Sequence, residues 1–120
     1  MPSDPRIPVT ILPDTASLPA WLGTGVPTAV LADGPAPPSG AVAVEHFTAR
    51  PLHRFGCACC ATRSAAAIAF DRLFQARARG RCPWFDRVLV MAASPTGRNE
   101  ASLALTQDAV TASRFRAAPK

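Results

Sequence analysis

Tyrosine is absent from this 120-residue chain, and lysine occurs once, as Lys120 at its far end. A phosphate-gripping loop of the G-x-x-x-x-G-K-[ST] kind therefore has no lysine to use. Long apolar runs are missing too: nowhere do the ~18 consecutive apolar residues of a membrane span occur. The opening Met1-Pro2-Ser3-Asp4-Pro5 lacks the basic start and apolar stretch of a secretory leader. A cytoplasmic location without membrane association is the expectation. Acidic residues are few, 8 against 13 basic ones, so the net charge is +5 and almost all of the positive charge is arginine. Aromatics make up 7 % of the chain. Arg72, Arg77, Arg79, Arg81 and Arg87 form a basic cluster without the regular aromatic interleaving of a base-stacking platform. Nucleic acid is not expected as a partner. The cluster reads as an arginine-rich surface or as a contact for an acidic protein.

Proline is plentiful, with 13 residues, most of them before residue 52. The length suits one domain over 1–120, with a loop-heavy first half (1–52) and a more regular second half (53–118). Short β-branched or apolar runs predict strands at Ile7–Leu12, Thr28–Ala32, Ala41–Glu45 and Phe85–Met91. Pro19 limits a helical piece within Thr15–Leu22 to a turn or two. The strongest helix is Thr62–Arg79, where Ala66, Phe70, Leu73 and Phe74 share one apolar face. Thr62 or Ser64 can cap its start and Gly80 can end it. Asp33–Gly40 and Ser94–Arg98 read as loops by composition. Asn99 is the expected cap of a helix reaching Thr106, and Asp108 the cap of a last helix through Phe115. Strands separated by helices imply an α/β fold with a small, mostly parallel sheet flanked by helices.

Cys57-Ala58-Cys59-Cys60 holds three of the four cysteines. In a reducing compartment such thiols favour metal binding or redox chemistry over structural disulfides. Thiolates are soft donors suited to zinc or cobalt(II), and several from one short segment lower the ordering cost of a site. The cluster directly precedes the long helix, whose free N–H groups and dipole favour the thiolate; Arg54 and Arg63 act in the same sense. Three thiolates leave a tetrahedral ion one ligand short. His53, four residues before Cys57, is the preferred completing ligand; His46, Cys82 or solvent are the alternatives. Packed inert thiols, or a strained vicinal redox pair at Cys59 and Cys60, remain the competing readings.

Gly56-Cys57-Ala58-Cys59-Cys60-Ala61-Thr62-Arg63 resembles the GCxCCxxR segment of the CobW-type family of P-loop GTPases and metallochaperones. That family follows the motif with a helix and a strand beginning FDR, as in Phe85-Asp86-Arg87-Val88-Leu89-Val90. Its opening strand is similar to Ile7–Leu12, and its closing helix ends on RF or RFR, as at Arg114-Phe115-Arg116. The resemblance implies a remnant of a P-loop NTPase-like layered fold. The nucleotide machinery departs from it. Pro13-Asp14-Thr15-Ala16-Ser17-Leu18-Pro19 stands where the phosphate loop would be, with neither glycine nor lysine, and its prolines remove amides that phosphate needs. Met91-Ala92-Ala93-Ser94 stands where the family carries an acidic residue and threonines near magnesium. Phe55 and Ala65 replace the family's usual asparagine and aspartate beside the cysteines.

The expectation is therefore a CobW-like, metallochaperone-like zinc protein with a degenerate P-loop. It would bind zinc, or another soft divalent ion such as cobalt, through Cys57, Cys59, Cys60 and His53, as a buffer or carrier. GTP is not expected to bind and no enzyme activity is expected, because the groups for phosphoryl transfer are missing. A non-catalytic interaction module using the basic helix surface is the alternative, and a thiol-redox protein a third.

Overall fold

The computed structural model describes residues 5–12, 18–23, 25–33, 40–48, 64–92 and 94–118. Three apolar, β-branched runs form the centre of the sheet: β1 (Ile7–Leu12), β2 (Thr28–Asp33) and β4 (Arg87–Ala92). Two shorter strands, β3 (Ala43–His46) and β5 (Phe115–Ala117), form its edges. The five strands are all parallel, in the order β3-β2-β4-β1-β5. Val30 lies beside Leu89 and Ile11 beside Val90 in the ladder. The sheet is thus wholly parallel, rather than mostly so. Parallel strands need crossovers that cover the sheet, and the burial of β2 and β4 on both faces explains their unbroken apolar sequences.

The two faces are covered unequally. On one side Val9, Ala29, Leu31, Val88 and Val90 pack against α2 (Ala65–Ala78) and α3 (Pro95–Gln107), with Phe70, Leu73, Ala101 and Ala104 at the contact. On the other, Leu12, Val30, Ala32, Leu89 and Met91 meet Trp21 and Leu22 of the five-residue helix α1 (Leu18–Leu22). No described helix is long and apolar enough to cross a membrane.

The ends of the helices follow local chemistry. Ser64 caps α2, its side chain accepting from the Ala67 N–H at 3.1 Å. Gly80, with φ at +70°, closes α2 with the Arg81 N–H on the Ala76 carbonyl and its own N–H on the Arg77 carbonyl. Asp108 caps α4 (Ala109–Arg114), accepting from the Thr111 N–H at 2.9 Å and its hydroxyl at 2.8 Å.

Several boundaries differ from the sequence reading. Asp33 ends β2 instead of opening a loop, and β3 runs from Ala43 to His46. Ser94–Arg98 is the cap and first turn of α3: Ser94, not Asn99, is the N-cap, and Pro95 takes the first helical position, where its missing N–H costs no bond. Phe115 opens β5 instead of ending a helix, because pairing with Ile7 extends its backbone.

Candidate functional site

A wholly parallel sheet presents all its strand C-termini at one edge, and open α/β sheets place their ligand sites there. Leu12, Asp33, His46 and Ala92 end their strands at this edge, where α2 and α3 begin. The opposite edge holds the end of α2 and the start of β4.

The mouth of α2 is built by two polar side chains. Beside the Ser64 cap, the Glu100 carboxylate of α3 accepts from the Ala66 N–H at 3.0 Å. Two of the free amides expected to favour thiolates upstream are therefore already engaged. A carboxylate is the group a helix N-terminus stabilises, and it offsets part of the dipole field there. Nothing local in the sequence points to Glu100, since its partner lies on another helix. The neighbouring start of α3 is similar: Ser94 Oγ donates to Asp33 Oδ2 at 3.1 Å and accepts from the Gly97 N–H at 3.1 Å. Arg98 reaches the Ala92 carbonyl at 3.3 Å.

Between the end of β3 and the first turns of α2 lies a cavity of about 300 Å³. His46, Phe47 and Thr48 form one wall, and Ala65, Ile68, Ala69 and Arg72 the other. The His46 side chain is exposed. Arg72 is held at one end by Glu45, 3.4 Å away across solvent-accessible surface.

The residues singled out in the sequence fall unevenly. Cys57, Cys59, Cys60 and His53, with Arg54 and Arg63, lie outside the described residues, as does the stretch 13–17 after β1. Among the described residues, no group of three or more His, Cys, Asp or Glu side chains could hold a metal ion. Cys82 is half-buried and packs against the core on the α2 side. It follows the C-terminus of α2, so the full length of that helix separates it from Ser64; fourteen residues at about 1.5 Å each span about 21 Å. His46 is the one alternative ligand that the described structure places at the same end as the α2 mouth.

The basic cluster is partly absorbed by the fold. The Arg77 guanidinium lies 3.5 Å from the centre of the exposed Trp84 ring and donates to the Phe85 carbonyl at 3.0 Å. Burial pushes its pKa down, against the opposing pull of Asp86 and Cys82. Arg87 donates to the Thr28 hydroxyl at 2.8 Å and stacks over Trp21, and burial lowers its pKa as well. Aromatic rings thus do accompany two of the five arginines, but as internal partners. Arg72, Arg79 and Arg81 are the exposed members.

No family model matches the chain, and neither a curated protein nor a solved structure matches it.

Proposed function

We propose that this chain is a metal-binding protein, zinc preferred, that holds its ion through the thiolates of Cys57, Cys59 and Cys60 and acts as a buffer or carrier without turning over GTP. The observation that carries the reading is the concentration of three sulfur donors within four positions, directly ahead of a long helix. Soft donors from one short segment favour zinc, cobalt(II) or copper(I) over magnesium or calcium. The chain joins α2 at the carboxyl edge of the parallel sheet, the edge at which this fold class places its ligands. A fourth ligand completes a tetrahedral site, with His53 the candidate nearest in sequence to Cys57.

A CobW-like ancestry is part of this proposal. β1 and β4, which carry the opening strand and the FDR segment of the resemblance, lie side by side in the sheet. The loss of nucleotide chemistry rests on the missing lysine and on the prolines at 13 and 19. The alternative, an interaction module using the basic helix surface, is less well supported, because Arg77 and Arg87 are already committed within the fold.

Cobalt(II) titration of the reduced protein in the absence of oxygen tests the reading. Strong thiolate-to-cobalt charge-transfer absorption is expected, and lost when Cys57, Cys59 and Cys60 are all replaced by serine. A wild-type protein without those bands overturns it.

A further inference from the structure

We infer that the C-terminal end of α2 and the turn after it dock an acidic segment of a partner protein, with Trp84 as apolar anchor and Arg79 and Arg81 as charged contacts. The inference goes beyond the thiolate reading and does not depend on it. The surface lies at the opposite end of α2 from its Ser64 cap. Residues 78–81 are exposed without a break, and Pro83 and Trp84 continue the exposed run past the half-buried Cys82. Gly80 turns the chain here with φ at +70°, and a Cβ at this position would meet nothing within 4 Å.

Trp84 is 59 % exposed, the largest exposed apolar side chain among the described residues. It is nevertheless held in place. The Arg77 guanidinium lies 3.5 Å from the ring centre, and Arg77 is itself anchored on the Phe85 carbonyl. The indole N–H donates to Asp86 Oδ1 at 3.1 Å. A ring fixed in this way loses little freedom when a partner covers it, and tryptophan beside arginine is the composition of interface hot spots. The commitment of Arg77 within the fold therefore supports this surface by positioning its anchor.

The charge around the ring selects the partner. Arg79 and Arg81 are exposed and make no ion pair or side-chain hydrogen bond among the described residues. Asp86, already engaged by the indole, is the one acidic residue from position 72 to 99. This local excess of positive charge attracts carboxylates and disfavours a second copy of a chain whose net charge is +5. A single-stranded nucleic acid would call for several rings to stack successive bases. Trp84 is the one exposed tryptophan or phenylalanine among the described residues.

The chain has two tryptophans, so the two indole N–H resonances of the isotopically labelled full chain give a direct test. The probe is a short glutamate-rich peptide with one central phenylalanine. It is expected to shift the Trp84 indole to saturation and to leave that of Trp21 in place. Trp84→Ala, which changes no charge, is expected to weaken binding about tenfold or more, and Arg81→Glu by a similar factor. Arg72→Glu makes the same charge change about two turns back along α2 and should have a much smaller effect. An unmoved Trp84 indole overturns the inference, as does a Trp84→Ala protein that binds the peptide like the wild type. So does equal or tighter binding of a single-stranded oligothymidylate of the same charge, which would make the partner a nucleic acid. The wild-type titrations do not depend on any variant folding, and the cobalt bands do not enter the outcome, so this inference and the thiolate reading fail separately.

Discussion

Gly97 shows how closely single atoms are fitted at the carboxyl edge. A methyl group added there would overlap the Asp33 carboxylate and come within 3.2 Å of the Ala92 side chain. Alanine is the better helix former by about 1 kcal/mol, but overpacking costs about 1–3 kcal/mol, so the clash outweighs the propensity. Gly97→Ala is therefore expected to lower the urea midpoint, and a double-mutant cycle with Asp33→Ala should show positive coupling. A higher midpoint for Gly97→Ala alone would contradict this packing. The sequence made some residues readable at this scale and hid others. Ser64, Asp108 and Gly80 act through bonds to neighbours within a turn, so their roles follow from residue type and position. Asp33 and Glu100 act on helices that start far away in sequence, and only the tertiary fold reveals them. The proposed sulfur ligands are of the first kind, visible as a pattern of residue types in the sequence itself.

At the scale of elements, β5 is the piece the sequence concealed. Three residues are too few to display an alternating pattern, and Phe115-Arg116-Ala117 follows helix α4 without a break. Pairing with β1 turns Phe115 inward, where it is fully buried, 5.0 Å from the Phe70 ring centre and 6.2 Å from that of Phe74. This short edge strand thus pins α2 to the sheet. Phe115→Ala is expected to cost about 3–5 kcal/mol, read as a fall in the thermal midpoint, whereas Val110→Ala on the exposed side of α4 should change it little. Equal effects of the two would remove Phe115 from the core. The central strands were legible for the opposite reason: in β4, Val88 to Ala92 are buried on both faces and leave a continuous apolar signature.

Across the whole molecule, stability should be graded from the middle of the sheet outward. β4 is bonded to β1 and β2, covered by α3, and lined by residues almost without solvent contact, while β3 and β5 have one neighbour each. Amide hydrogen exchange is expected to be slowest at Val88–Val90 and faster by orders of magnitude in β3 and β5. Uniform protection across the five strands would contradict the gradient. The fold class could be read from hydrophobic runs separated by helices; the strand order could not, because apolar runs do not encode which of them become neighbours. That order also bears on synthesis. β1 is made before the other described strands, yet both of its partners lie beyond residue 86, and one of them is the last strand described. The nascent chain must carry an unpaired apolar segment until β4 has been made, exposed to aggregation and open to chaperones. A ribosome stalled before residue 115 would hold a sheet with that edge still missing.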